Sequence, residues 1–525
     1  MGKANISTSR FTAIFAGGTM FSRVLGLARN IVLAKFIPSA SLEMFLLAFK
    51  LPNMLRDMLG EGATNAAFVP VLSEAREKQD ESAYRSLVAA CFGAMLLIFL
   101  TITVLAILIM PLVPSLIELL RPLTGAEAKD EAYLHTTVQL MQWTFPYLIF
   151  IGLAAFAMAP LFVAGHYSTP SMAPALLNVA LIACCVGLYR YFDEPAWALI
   201  LGVWLGGIAQ LAVLYLAMHR HTGVLLPSFQ LRHPGVKRAF LLLGPIIAGQ
   251  AAGEVNKLVD SFFAYSVEAV STLFFANQIV QLPLSIFGIA VSVAILPDLS
   301  KAAARGDLAY VAQGMRSGWV QSAFLILPAM LGLIVLAEPI VRLVYERGEF
   351  SPQNTRDTAT AMAYYAAGLW AFAWVKISVQ GFFALQNTKP PVIVASCCMI
   401  LNIVLNVILI GPLGFRGLAL ATTLSFSLNF VILFLLLCRI YGPLYRDAAF
   451  LISLLRIVLL TATMAGTVYA TRLFLEQYLD SSAFLPNAAL VFLGIGIGGI
   501  SYIGLSYLSR SPELHAFLSA LRRRR

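Results

Sequence analysis

Four cationic side chains lie inside the first two long apolar runs of this sequence. Arg23 and Arg29 lie in the first run, and Lys50 and Arg56 lie in the second. At a rise of about 1.5 Å per residue, two antiparallel helices place Arg23 level with Arg56 and Arg29 level with Lys50. A guanidinium can bind phosphate through two parallel hydrogen bonds, and an ammonium adds a point charge. This group therefore fits a multiply anionic ligand such as a diphosphate.

The cost of placing these charges in lipid indicates a wet environment. Each Arg or Lys at a helix centre costs about 2.5–3.5 kcal/mol even on a lenient scale, so four facing lipid cost on the order of 10–14 kcal/mol. Ser22, Gly26 and Arg29 follow the i, i+4, i+7 pattern of one helix face and leave it free of bulk. We expect this face to line a hydrated cavity.

Carboxylates accompany these cations and offer an alternative. Glu43, Asp57 and Glu61 lie in the second run, where ion pairs could simply hold the first two helices together. Cations nevertheless outnumber acids at the centre of these two helices. This excess favours a bound anion over a self-neutralised network.

A second polar group lies further along the chain. Lys257 has Glu254 and Asp260 three residues away on either side, so pairing within one helix is slightly favoured over substrate contact. A buried Asp260 near amide and hydroxyl oxygens could hold a monovalent cation or a proton. Three residues could supply such oxygens: Asn402, Asn406 and Thr422.

The composition shows which solvent these residues meet. Of the 525 residues, 59% are hydrophobic and 12% are charged, and the mean hydropathy is +0.82. A soluble domain carries about 25% charged residues, so a soluble enzyme is excluded and most apolar side chains must face lipid. The six cysteines lie in apolar runs without metal-ligand spacing, which argues against disulfides and zinc. We expect no cofactor, and Na⁺ and H⁺ both stay open as coupling ions.

Apolar runs of about 20 residues can cross a bilayer as helices. With the N-terminus taken as cytoplasmic, inner segments hold 20 Lys and Arg against 7 in outer segments. The positive-inside rule then places both termini in the cytoplasm, and the terminal Arg522–Arg525 fits a lipid-surface anchor better than a nucleic-acid patch. The runs predict an all-α integral membrane protein with fourteen transmembrane helices, near 11–37, 42–72, 86–113, 132–164, 171–190, 196–218, 238–265, 271–298, 315–345, 358–384, 391–411, 417–437, 450–475 and 486–507.

Two short motifs recur at nearly equal offsets. Segment 68–75 resembles 295–302, and 164–170 resembles 384–390; chance recurrence is the less favoured explanation. Because transporters are often built from repeated halves, we expect two six-helix lobes in a pseudo-twofold repeat. The predicted domains are an N-terminal lobe at 1–220, a cytoplasmic linker at 221–237, a C-terminal lobe at 238–440, and two extra helices with a basic tail at 441–525.

Two segments are specific enough to compare with known families, Phe21-Ser-Arg-Val-Leu-Gly-Leu-Ala-Arg29 and Ala48-Phe-Lys-Leu-Pro-Asn-Met-Leu-Arg56. With Tyr345-Glu-Arg-Gly-Glu-Phe350 and similar segments along nearly the whole chain, they resemble the MurJ (MviN) family of lipid II flippases. The resemblance implies a member of the multidrug/oligosaccharidyl-lipid/polysaccharide exporter superfamily in the bacterial inner membrane. Such a protein moves undecaprenyl-diphosphate-linked peptidoglycan precursor from the inner to the outer leaflet.

The resemblance also implies functional residues and partners. The last two predicted transmembrane helices, 450–475 and 486–507, would form a groove for the lipid tail. The partners would be lipid II, membrane lipids and other cell-wall synthesis proteins. Nucleic acid would not be a partner. The cavity arginines of the family fall on Arg23, Arg29 and Arg56. Other functional positions fall on Ser22, Glu43, Lys50 and Glu61, and a sodium site maps near Asp260, Asn402, Asn406 and Thr422.

Two positions depart from the family pattern. Gln278 stands where the family has a second-lobe arginine, and Asn30 replaces a frequent aspartate. The net charge of the cavity is unchanged, but a cation is lost from the opposite wall. We hypothesise that Lys257 partly compensates and that both departing residues contact the substrate.

The sequence thus predicts alternating-access transport of lipid II without covalent chemistry. It contains no nucleotide-binding P-loop, so an ion gradient or the membrane potential would supply the energy. The alternatives are a polysaccharide-unit or drug/cation exporter of the same architecture, and a non-transporting cell-wall scaffold. Four cavity cations argue against a drug/cation exporter, whereas Gln278 keeps the scaffold in consideration.

Overall fold

The computed structural model describes residues 2–58, 63–78, 80–115, 131–223, 226–479 and 483–515. Throughout these ranges the chain is helical or in turns, without a strand, so the predicted all-α class is confirmed. Two predicted features, Glu61 and the Arg522–Arg525 tail, lie outside the described residues.

The first of two compact units comprises residues 1–271 and 347–349. In it α1 packs on α7, α6 and α7 pack on α8, and α9 contacts α2, α3 and α4. The described helices are α1 (Gly2–Phe36), α2 (Ser39–Arg56), α3 (Ala63–Lys78), α4 (Glu81–Ile109), α5 (Glu131–Thr144), α6 (Tyr147–Val163), α7 (Ser168–Leu188), α8 (Ala196–Thr222) and α9 (Pro234–Ser266).

The second unit comprises residues 272–346 and 350–525. Its core is built around Trp319, whose ring packs against Phe430, Phe434 and Phe450. The last two helices pack on each other, and the first of them also packs on α12. The described helices are α10 (Val270–Pro283), α11 (Ala290–Ala304), α12 (Leu308–Val335), α13 (Ala337–Tyr345), α14 (Pro352–Ala367), α15 (Leu369–Ala384), α16 (Lys389–Leu413), α17 (Phe415–Tyr441), α18 (Ala448–Tyr478) and α19 (Phe484–Leu508).

Within the described residues, ten helical stretches are long and apolar enough to cross a membrane. The count of fourteen spans and the predicted lobe boundaries stay predictions. Several helices are interrupted next to a proline, at positions that the hydropathy pattern did not indicate. Pro146 separates α5 from α6, and a π-helical turn over Leu284–Ile289 follows Pro283. The predicted runs that contain parts of two described helices are 42–72, 132–164, 271–298, 315–345 and 358–384.

Short polar residues determine where several helices begin. The Asp80 carboxylate accepts a hydrogen bond from the Ala83 amide at 3.0 Å, and Asp447 accepts one from the Phe450 amide at 3.2 Å. Such N-caps satisfy backbone donors that a helix leaves without partners in its first turn. Asp80 and Asp447 therefore mark the N-terminal ends of α4 and α18.

His166, in the turn between α6 and α7, lies beside His221 in the last turn of α8. The rings of His166 and His221 are 4.8 Å apart, and His166 Nε2 lies 2.7 Å from Thr169 Oγ1. Burial, and then the nearby His221, lower the pKa of His166 below its usual 6.5. Folding therefore favours the neutral imidazole.

The His166 pair predicts a pH-dependent stability. Because the folded pKa lies below the unfolded one, the contribution of His166 is complete above pH 6.5 and is lost as the pH falls towards the folded pKa. We expect the thermal midpoint of the solubilised protein to fall between pH 7.5 and 5.5, and His166→Gln to reduce that fall. His135→Gln, at an exposed position on α5, controls for the loss of one imidazole; an equal reduction there would contradict the prediction.

Candidate functional site

Arg29 of α1 is held in place by amide oxygens. Its Nε and Nη2 donate to Asn30 Oδ1 at 3.1 and 2.9 Å, and its Nη1 donates to Asn178 Oδ1 at 3.0 Å. Asn178 Nδ2 donates in turn to the Ser22 carbonyl at 3.2 Å. These amide oxygens orient the guanidinium.

Asn178 of α7 was not identified by the sequence analysis. It is a lone amide in the apolar second half of α7, and that isolation was the signal that could have found it. A Cβ at Gly26 would lie 3.8 Å from Asn178 Nδ2, an ordinary van der Waals distance, so Gly26 lies on the face of α1 that packs against α7. The face that we expected to line a cavity is therefore partly covered by α7.

Arg23 and Arg56 have different surroundings. Arg23 is exposed, and within the described part of the chain no hydrogen bond or ion pair joins it. Arg56 Nη2 lies 2.8 Å from Asp57 Oδ1, and Asn53 Nδ2 donates to the other Asp57 oxygen at 3.5 Å. The ion-pair alternative thus applies locally to Arg56.

Lys50 of α2 lies beside the charged part of α9. Asp260, Glu254 and Asp57 attract its ammonium, whereas Lys257 repels it. Lys257 Nζ itself donates to Glu254 Oε1 at 2.5 Å, which confirms the predicted pairing within one helix. Two cations and three carboxylates therefore share one region of the first unit.

The proposed ion site is divided between the two units. Asp260 belongs to the first, where it accepts a hydrogen bond from Asn256 Nδ2 at 3.3 Å. The other three residues lie together in the second. Asn406 Nδ2 donates to Asn402 Oδ1 at 2.9 Å, and Asn402 Nδ2 donates to Thr422 Oγ1 at 3.5 Å. Each half thus forms its own hydrogen-bonded group, and a joint site stays a prediction.

Glu43 lies apart from Arg56 on the same helix. It is buried, with 4% exposure, and accepts hydrogen bonds from the Ser271 amide at 3.4 Å and the Ser271 hydroxyl at 3.3 Å. Along α2 it is about 20 Å from Arg56. Glu43 therefore binds Ser271, which also belongs to the first unit, rather than neutralising Arg56.

Comparison with known proteins shows the family of this chain. The sequence profile described as "Lipid II flippase MurJ" matches residues 34–490. The chain belongs to the MurJ family. It is 34% identical over 510 residues to a probable lipid II flippase MurJ of Vibrio cholerae, covering 94% of this chain and 95% of the relative. A second relative of the same description, from Rhizobium meliloti, is 33% identical over 531 residues and covered to 97% in both chains.

Solved structures agree with membership in the MurJ family. One described as lipid II flippase MurJ in an inward closed conformation has a TM-score of 0.75 and 25% identity, covering 95% of this chain and 99% of that one. An inward-facing multidrug resistance transporter of the MATE family has a TM-score of 0.64 at 15% identity, covering 83% and 99%. The second likeness shows the shared fold alone.

The two departures from the MurJ pattern now have structural positions. Asn30 keeps two hydrogen bonds to Arg29 that an aspartate could also accept, but an amide does not neutralise the guanidinium. Gln278 is half-buried on α10, in the second unit. Substrate contact by Asn30 and by Gln278 stays a prediction.

Proposed function

We propose that this chain is a lipid II flippase that moves the undecaprenyl-diphosphate-linked precursor to the outer leaflet of the bacterial inner membrane. The observation that carries the proposal is the Arg29 guanidinium, oriented by Asn30 and Asn178 in the interior of α1. The relatives of known description, matched over nearly the whole chain, support the same substrate.

The proposed mechanism needs only binding and a change of access. Arg29, Arg23 and Lys50 replace the hydration of the diphosphate inside a wet cavity, and Arg56 joins them when its pair with Asp57 opens. The polyprenyl tail stays in lipid while the cavity changes its access from one side to the other. No bond forms or breaks, so the protein acts as a transporter rather than an enzyme.

Energy coupling and membrane orientation are part of the same proposal. A Na⁺ or H⁺ gradient would act through Asp260 and through the Asn402, Asn406 and Thr422 group, whose oxygens suit a monovalent cation. Both termini would be cytoplasmic, because the basic segments then lie inside. Other cell-wall synthesis proteins are proposed as partners on the basis of the function alone.

Cellular accessibility of lipid II tests the function. In cells depleted of this protein and lacking any redundant flippase, labelled lipid II should no longer appear in the outer leaflet, and re-expression of the chain should restore it. Unchanged outer-leaflet appearance after depletion would reject the proposal. Purified protein in liposomes with fluorescent lipid II checks that the chain itself is sufficient.

Lys257 is predicted to supply charge to the substrate. Lys257→Ala should lower lipid II transport about tenfold, the size of one lost charge-assisted hydrogen bond. The single variant also leaves Glu254 unpaired beside Lys50, so Lys257→Ala is compared with the Lys257→Ala, Glu254→Gln pair. If the double variant regains the parental rate, Lys257 serves only to neutralise Glu254, and the compensation hypothesis is wrong.

A further inference from the structure

Residues 226–233, which lead into α9, are held against α4. We call these residues the α8–α9 linker. The Ser228 amide donates to the Ala89 carbonyl at 2.9 Å, and a Cβ at Gly93 would overlap the Ser228 carbonyl oxygen. Because Gly93 has no side chain, the backbone of the linker lies directly on the helix.

These contacts set the depth of the linker relative to the bilayer. Ala89 belongs to the helical stretch Glu81–Ser115, which is long and apolar enough to span a membrane. The predicted apolar run begins at residue 86, so Ser228 lies about 4.5 Å along α4 from the start of that run. This is the level at which interfacial segments bury apolar side chains, between lipid headgroups and acyl chains.

Three large apolar side chains of the linker are exposed. The exposed fractions are 77% for Leu226, 58% for Phe229 and 51% for Leu231. Exposure of these three side chains to water would be unfavourable in free energy, because burial of apolar surface is favourable. At the headgroup boundary the same side chains can enter the acyl region without moving the backbone.

The charges that flank these side chains are all positive. The sequence between Arg220 and Arg238 contains four Lys and Arg residues and no carboxylate. Arg220, Arg232 and Lys237 are exposed, whereas Arg238 Nη1 lies 2.6 Å from a Glu74 oxygen of α3. Three exposed cations thus flank the exposed apolar side chains in sequence. Basic and apolar residues in one short segment are typical of binding to an anionic membrane surface.

We propose that the α8–α9 linker is a binding surface for anionic phospholipid headgroups. Leu226 and Phe229 enter the acyl boundary, and Arg232 and Lys237 bind headgroup phosphates. With the orientation proposed above, the leaflet is the inner one. The contacts of Ser228 keep the linker at this depth, so the surface is built into the fold of the first unit.

Lipid quenching in nanodiscs tests this surface on the full chain. A bimane label is attached at Leu226→Cys in a variant whose six native cysteines are replaced by serine, with transport and monodispersity checked first. Brominated phosphatidylglycerol and brominated phosphatidylcholine are compared at equal mole fraction. We expect stronger quenching by the anionic lipid, and about a fivefold loss of that preference for each cation removed by Arg232→Gln and Lys237→Gln.

Matched variants separate this surface from general basicity. Lys301→Gln with Arg305→Gln removes two exposed cations elsewhere in the chain and should leave the preference unchanged. Equal quenching by both lipids, or no quenching at all, would overturn the proposal. Displacement of brominated phosphatidylglycerol by about 1% undecaprenyl diphosphate would also overturn it, because the surface would then collect substrate rather than bulk phospholipid.

Discussion

Replacing Arg29 by alanine is expected to abolish lipid II transport, with a loss of at least a hundredfold in the initial rate of flipping. The guanidinium is oriented by Asn30 and Asn178, and charge-assisted bonds to phosphate contribute about 1.5–3 kcal/mol each. Two such bonds account for the expected loss. Arg29→Lys keeps the charge but lacks the planar fork, so it should retain only a small fraction of the rate. Fluorescent lipid II in proteoliposomes provides the measurement.

Two further variants distinguish substrate binding from helix packing. Asn178→Ala leaves the charge of Arg29 but removes one of its orienting oxygens, so a smaller loss of about tenfold is expected. Lys35→Ala removes an exposed cation near the end of the same helix and should transport at the parental rate. If Arg29→Ala flipped lipid II as fast as Lys35→Ala, the proposed role of the α1 cations would be wrong.

Gly348→Ala is expected to destabilise the protein by about 2–5 kcal/mol. Gly348 has a φ of +61°, and a Cβ there would overlap the carbonyl oxygen of Lys35 at the end of α1. The neighbouring Glu349 amide donates to that same carbonyl at 3.1 Å. An alanine therefore carries about 1–2 kcal/mol of backbone strain and about 1–3 kcal/mol of steric overlap. The midpoint temperature at which the solubilised protein ceases to be monodisperse should be clearly lower for Gly348→Ala than for the parental protein.

Gly306→Ala is the matched control for Gly348→Ala. Gly306 has a φ of +74°, and among the described residues other than its chain neighbours no heavy atom lies within 4 Å of the position of its added Cβ. It therefore carries the backbone strain without the overlap, and its thermal midpoint should fall by less. Equal falls in the two variants would show that the contact with Lys35 contributes nothing to stability.

The sequence alone was sufficient for the class of fold, and it singled out the charged residues of the first two helices. Apolar runs of spanning length predicted an all-helical membrane protein, because a chain in lipid must satisfy its backbone hydrogen bonds within helices. Arg23, Arg29, Lys50 and Arg56 stood out because charges inside such runs are costly and rarely lack a function. The pairing of Lys257 was predictable since its partner lies one turn away on the same helix.

Contacts between distant parts of the chain were decided only by the tertiary structure. Asn178 orients Arg29 across 149 positions of sequence, Glu43 binds Ser271, and the α8–α9 linker lies on α4. Hydropathy could not reveal these contacts because lipid tails and helix interiors are equally apolar, so one pattern fits a side chain facing either. Small residues and single hydrogen bonds decide which faces of these helices contact each other. These interactions form only when the helices are packed together.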